Sequence, residues 1–375
     1  MERLIRKIAD NAYTPLGATT QENFDNLVNG TSALQRHEID ALPFPFVASL
    51  FDWEMMELEE GATRFETLAI QSVRRALAQA NIDASASDVL FILSTTKANV
   101  ELLAHRPNHI PEERVMPAEA ARFIAEKFGN PNPPVVVSNA CISGLCAQIA
   151  AMRLLQNKRY RYAVVIGADV QSPFIISGFQ SFKALSDDFC KPFDRDRKGL
   201  NLGEGAATIV YEATNIDDPN AWYAVEGAVR NDANHISGPS RTGEGSFLAL
   251  QSVLRNHSIS DLAMVSVHGT STLYNDEMES IALQRAGLSD VPINSLKGFY
   301  GHTMGAAGVL ETILSMYAIE HHTILATKGF AEMGVSCPVN ISCDNRTTDK
   351  TTFVKLLSGF GGCNAAMFFQ KGGRR

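Results

Sequence analysis

Two stretches of this chain carry the same pattern, and that repetition limits the folds open to it. Around Cys141, the run Val135-Val136-Val137 stops at Ser138-Asn139. It then enters a segment that is apolar nearly all round, with Ile142, Leu145, Cys146, Ile149, Ala150, Met152 and Leu154. Around His302, Val291 to Ser295 reads as a short strand, a glycine-rich turn follows, and Met304 to Ile319 reads as a long apolar helix. Helices without a polar face belong inside a protein. Elsewhere, strand patterns (Val89–Leu93, Tyr162–Gly167, Ala206–Tyr211, Trp222–Val229, Leu262–Val267) alternate with helical ones (64–81, Pro117–Phe128, Gly245–Arg255, Asp276–Ala286). Lys355–Gly359 and Ala365–Phe369 form a closing hairpin, and the first forty residues mix turn signals with a helix around Thr20–Val28. This alternation predicts α/β layers. Asn215–Asn220 is the best linker. It divides the chain into halves, 1–214 and 220–375, read as a duplication by pattern rather than identity.

The 375 residues suffice for one large domain or two fused ones, and 45% apolar with 20% charged residues is an ordinary globular balance. A net charge of -8 argues against nucleic-acid binding. Arg153, Lys158, Arg159 and Arg161 read as a charged helix end, although they are also the nearest thing to a basic docking patch. The six cysteines show no CxxC and no zinc-site spacing, so no metal is expected and a reducing cytoplasm is the expected compartment. Met1 to Lys7 is too charged for a signal-peptide core, and no apolar run is long enough to span a bilayer.

Several residues stand out as chemistry. Cys141 falls just after a strand, in what the pattern makes the first turn of a helix. Backbone N–H groups and the helix dipole there favour a thiolate. His268, in His268-Gly269-Thr270-Ser271-Thr272, lies at a strand end, where α/β folds place chemistry. His302 precedes the small residues Gly305-Ala306-Ala307-Gly308, which allow close backbone approach. Lys297 stands five residues before His302, with Glu279 as a candidate partner. Phe360, set among Gly359, Gly361 and Gly362, marks either a tight hairpin or a hinge that swings the ring. A cysteine and two histidines are a sufficient kit for acyl transfer.

The chain resembles the elongating β-ketoacyl-[acyl-carrier-protein] synthases, condensing enzymes of the thiolase superfamily. Ala140-Cys141, Lys191-Pro192-Phe193-Asp194-Arg195-Asp196-Arg197 running into Leu202-Gly203-Glu204-Gly205-Ala206, His268 to Thr272, Lys297 to Gly308, and Gly359 to Asn364 occur in that family's order. The resemblance runs from about Pro15 to Phe369. It implies a thiolase fold, two similar halves stacked as a five-layer αβαβα sandwich, and a homodimer or a heterodimer with a related subunit. It implies that Cys141 accepts the acyl chain, and that His268 and His302 promote decarboxylation of a malonyl thioester. Lys297 would pair with Glu279. The N–H groups of Cys141 and Phe360 would form the oxyanion hole, and Phe360 would gate the acyl pocket. Thr270, Thr272 and Ser237 would bind the phosphopantetheine arm of an acyl-carrier protein, with no tightly bound cofactor.

Ile142, Phe299 and Tyr300 are larger than the residues usual at these positions in the resembled family. Phe299 and Tyr300, together with Phe174, Phe179 and Phe182, suggest aromatic pocket walls and a flat or unsaturated chain, in a polyene or polyketide-like pathway as much as in fatty-acid synthesis. The alternatives are a non-catalytic, chain-length-setting subunit of a heterodimer, which usually lacks the cysteine, a degradative thiolase or starter synthase, and an unrelated cysteine hydrolase.

Overall fold

The computed structural model describes residues 3–372 apart from 40, 41, 43 and 237. Its main strands lie in the order Asn340–Ile341, Pro292–Asn294, Leu262–Ser266, Thr352–Gly359, Cys363–Lys371, Trp222–Asn231, Leu4–Tyr13, Gly205–Thr214, Tyr162–Asp169, Val89–Ser94 and Val135–Val137. Trp222–Asn231 meets Leu4–Tyr13 only at the pair Arg6–Tyr223. These are therefore two sheets joined along one edge. From Pro292–Asn294 inward, two parallel pairings are followed by two antiparallel ones. From Val135–Val137 inward the sequence of pairings is the same.

The helices Ser143–Gln156 and Ala307–Glu320 touch strands of both sheets and form the middle layer. Leu90, Ile92 and Val165 of one sheet, and Met264, Leu357 and Met367 of the other, belong to one core with Leu145, Ile149, Ile313 and Leu314 of these helices. The outer face of the first sheet (Phe91, Leu93, Val164) packs with Phe65, Leu68 and Val73 of Arg64–Leu77 and Ile124 of Pro117–Glu126. On the other outer face Val265, Val354 and Leu356 pack with Leu250 and Val253 of Glu244–Leu254 and Leu283 of Leu273–Arg285. Successive residues of Val89–Ser94 thus serve two cores in turn, as a period of two requires. A strand covered on both faces has no place for a polar side, which explains its unbroken apolar run. The result is the five-layer αβαβα sandwich implied by the resemblance.

The two middle helices meet backbone to backbone. A Cβ added to Gly308 would lie 2.4 Å from the amide nitrogen of Leu145, and one added to Gly144 would lie 2.8 Å from the Cα of Gly308. No side chain fits between them.

Two elements were not legible in the pattern. Leu4–Tyr13 is a full strand pairing with Gly205–Thr214. Its charged residues hide it, because Arg6 and Lys7 are satisfied by Glu212 and Asp10. Pro173–Ser181 is a helix capped by the Ser172 hydroxyl. Among the described residues no helix is long and apolar enough to cross a membrane.

Gly308→Ala should lower the unfolding free energy by about 1–3 kcal/mol, the usual cost of overpacking. Urea denaturation would measure it, and a change below about 0.5 kcal/mol, the scale of an inconsequential surface substitution, would contradict the close helix contact.

Candidate active site

Cys141 sits on a constrained turn. Ala140, just before it, has φ 45, a left-handed conformation that costs a residue with a Cβ about 1–2 kcal/mol. The Ser143 hydroxyl pins this turn, accepting from Asn139 N at 2.7 Å and donating to Ala140 O at 2.6 Å. The helix itself begins at Ser143 with Ile142 as its N-cap. Cys141 therefore precedes the first helical turn instead of lying in it. Gly359 lies against it, since a Cβ there would come within 3.1 Å of Cys141 N. The hairpin carrying Phe360 thus adjoins the N–H of Cys141.

His268 follows the strand Leu262–Ser266. Its N–H donates to Glu279 Oε1 at 2.6 Å, and that of Gly269 to Glu279 Oε2 at 2.8 Å. Asp276 takes the next two, from Thr270 at 2.9 Å and Ser271 at 3.0 Å. The helix Leu273–Arg285 thus grips the whole loop through two buried carboxylates. His302 follows Gly301 (φ 70) and donates its N–H to Asn201 O at 2.7 Å. The two imidazoles stand edge to face with centroids 5.1 Å apart. Cys141 Sγ and a ring nitrogen of each histidine lie within 4.8 Å of one another. All three side chains are buried.

Burial sets the electrostatics. It pushes the Cys141 thiol up to about 12, with Cys363 adding to the effect and Lys297 opposing it. The expected thiolate is therefore not the resting form, because desolvation outweighs the helix-end field. Burial, followed by the Lys297 charge, holds both His268 and His302 well below the usual histidine range. Both rings are neutral. Nδ1 of His268 and both ring nitrogens of His302 have no hydrogen-bond partner among the described residues. These three donor residues also form a group of metal-ligand type, although their neutral, unbonded ring atoms equally suit hydrogen bonding to a carbonyl oxygen.

Lys297 does not pair with Glu279. Its Nζ lies 2.8 Å from Glu311 Oε1 and donates to His268 O at 2.6 Å. The reason is positional. Glu279 is occupied by backbone N–H groups, and burial pushes it up to about 7. Glu311 rises from the middle layer directly beneath Lys297 and is shared with Lys355 at 2.5 Å. Glu311, Lys355 and Asp276 were missed in the sequence. For Glu311 and Lys355 the available signal was a charge inside an apolar helix or strand, whereas Asp276, beside Glu277 in a polar helix, offered none.

A pocket of about 420 Å³ contains Cys141, His268, His302, Thr270, Thr272 and Phe360 in its lining. Phe179 and Phe182 also line it, their rings 5.7 and 5.4 Å from that of Phe360. Phe299 and Tyr300 do not, being core residues at 1% and 0% exposure, and Phe174 is 58% exposed. Only part of the expected aromatic wall is present. Ser237 lies outside the described residues, between the pocket-lining positions His235 and Gly238. A larger open groove of about 1310 Å³, bordered by Arg3, Lys350 and Arg153 of the candidate basic patch, holds none of the candidate catalytic or arm-binding residues.

Residues 8–215 match the family model described as Beta-ketoacyl synthase, N-terminal domain, and residues 223–331 match Beta-ketoacyl synthase, C-terminal domain. The ketoacyl synthase alpha subunit of the tetracenomycin polyketide synthase from Streptomyces glaucescens is 33% identical over 67% of this chain and 63% of that protein. A Schizosaccharomyces pombe protein named as a mitochondrial 3-oxoacyl-[acyl-carrier-protein] synthase is 27% identical over 96% of this chain and 97% of its own length. Among solved structures, a ketosynthase in complex with its chain length factor from Xenorhabdus doucetiae superposes with a TM-score of 0.88 at 24% identity, covering 98% of each chain. A β-ketoacyl synthase from Burkholderia phymatum gives 0.87 at 22%, covering 99% of this chain and 100% of that one. At these identities the likeness establishes the fold.

With its thiol held protonated, Cys141 should alkylate slowly with iodoacetamide at pH 7, and faster at each step up to pH 10. Peptide mass spectrometry reads this directly. A rate that levels off below pH 8 would show a preformed thiolate.

Proposed function

The chain belongs to the β-ketoacyl synthase family, and from that premise we propose that it condenses an acyl thioester held on Cys141 with a malonyl-acyl-carrier protein. The observation that carries this reading is the convergence of a buried thiol and two neutral imidazoles in one pocket. In the loading step Cys141 Sγ attacks the acyl carbonyl, its proton passes to the departing phosphopantetheine sulfur, and the C–S bond to the carrier breaks. In the second step the malonyl C–C bond breaks and carbon dioxide leaves. The electron pair becomes an enolate whose oxygen accepts hydrogen bonds from His268 and His302. The enolate carbon then attacks the Cys141 thioester, releasing the thiolate and a β-ketoacyl chain on the carrier. Neutral, preorganised donors in a water-poor site are what a developing oxyanion requires. Lys297 acts through His268, whose carbonyl it holds.

Thr270 and Thr272, with Ser237, would take the phosphopantetheine arm. Phe360, beside Gly361 (φ 86) and Gly362 (φ 73), would gate the pocket. Phe179, Phe182 and Phe360 favour a planar, unsaturated chain over a flexible one, with about 1 kcal/mol per aromatic contact. The halves 1–214 and 220–375 would supply the nucleophile and the histidine pair respectively. The sheet ends at the half-buried edge strand Val135–Val137, a surface suited to a partner's strand. A homodimer fits this edge. So does a heterodimer of the kind named for the Xenorhabdus ketosynthase and its chain length factor. Cys141 weighs against a non-catalytic role for this chain. Six free cysteines suit a reducing compartment such as the cytoplasm.

Incubation with acyl- and malonyl-carrier proteins, following carbon dioxide and the mass of Cys141, tests the reading. Cys141→Ala should accept no acyl chain. His268→Ala or His302→Ala should cut malonyl-dependent carbon dioxide release by about 100-fold or more while Cys141 is still acylated. Unchanged release in both histidine variants would remove them from the mechanism. In competition between carriers bearing saturated and polyunsaturated chains of equal length, the unsaturated one should load faster. An equal or faster saturated chain would sink the planar-substrate proposal.

A further inference from the structure

Lys355 is the buried charge that the mechanism above leaves without a task. It stands in the apolar strand Thr352–Gly359, wholly buried, and its Nζ lies 2.5 Å from Glu311 Oε2. The same ammonium donates to Ser266 O at 3.1 Å, Ser266 Oγ at 3.2 Å and Val267 O at 3.0 Å. Lys297, on the other oxygen of Glu311, donates to His268 O. Two lysines bridged by one carboxylate therefore hold the carbonyls of residues 266, 267 and 268 in succession. Glu279 holds the N–H groups of His268 and Gly269. The backbone that presents His268 is fixed at each peptide by a buried charge.

We propose that Lys355 is a positioning residue for the decarboxylation and condensation step, locking the strand end that presents His268 through the cation it shares with Glu311. A lysine buried in a strand is costly unless its charge is used. Here the charge completes the clamp and also opposes protonation of both imidazoles. The groups facing it are Glu311 from the middle layer, Lys297, Glu279 from Leu273–Arg285, and the two histidines. Burial lowers its own proton affinity to about 8, with Glu311 opposing that shift. The clamp should therefore be intact below that pH and weaken above it.

This inference rests on the condensing-enzyme reading, and the test separates the two by using the full chain with ¹⁵N-labelled histidine rings. In Lys355→Met, the ring titrations of His268 and His302 should move to higher pH, because a cation opposing their protonation is gone. Carbon dioxide release from malonyl-carrier protein at pH 7 should fall about 10- to 100-fold, the scale expected of a misplaced reacting group, while acylation of Cys141 continues. Unmoved ring titrations together with unchanged carbon dioxide release overturn the proposal. If the variant does not fold, wild-type spectra decide. Both ring signals should shift as the cluster loses a proton near pH 8, and a flat response overturns the proposal. Wild-type protein that releases no carbon dioxide would sink the condensing reading alone, since the ring spectra require no turnover.

Discussion

The contact between Gly144 and Gly308 is the constraint from which the site follows. Each glycine lies in the opening turns of a middle-layer helix, and the two backbones touch there. Cys141 stands just ahead of one helix and His302 just ahead of the other. Bringing the helix starts together therefore brings the two side chains together, from opposite halves of the sequence. A single methyl group at either glycine would push Cys141 and His302 apart. The apolar character of both helices serves the same end, since only a helix without a polar face can lie between two sheets.

The side chains of the site are buried at the centre of five layers, and burial decides their charge states. The field at a helix start favours a thiolate. Removal from water costs the anion more, so the thiol stays protonated. The same desolvation, reinforced by the charges of Lys297 and Lys355, keeps the imidazoles neutral.

Buried carboxylates tie the surrounding loops together. Asp169 accepts from the N–H groups of Thr96 and Gly305, joining the two halves of the sequence. Asp276 links the loop at Phe193 to the one at Thr270 and Ser271. Glu204 collects Phe51, Trp53 and Gln171. In each case an acid is used to satisfy backbone or indole N–H groups that could not be left unpaired in the interior. That use explains why acids near the histidines were easy to mistake for partners of lysines.

The sequence by itself determined the alternating α/β pattern, the repeated strand-turn-helix unit, and the candidates Cys141, His268, His302, Lys297 and Phe360, while Thr270 and Thr272 came from the family resemblance. Those signals are local: an apolar run ended by a turn, a histidine beside glycines, a ring among glycines. Only the tertiary structure decided that Lys297 pairs with Glu311 rather than Glu279, and that Lys355 joins them. It also decided that Phe299 and Tyr300 fill the core instead of the pocket, and that Leu4–Tyr13 is a strand despite its charges. Each of these turns on which distant side chain lies opposite. The thiol's protonation belongs with them, since it depends on how completely five layers exclude water from one atom, and no stretch of sequence carries that quantity.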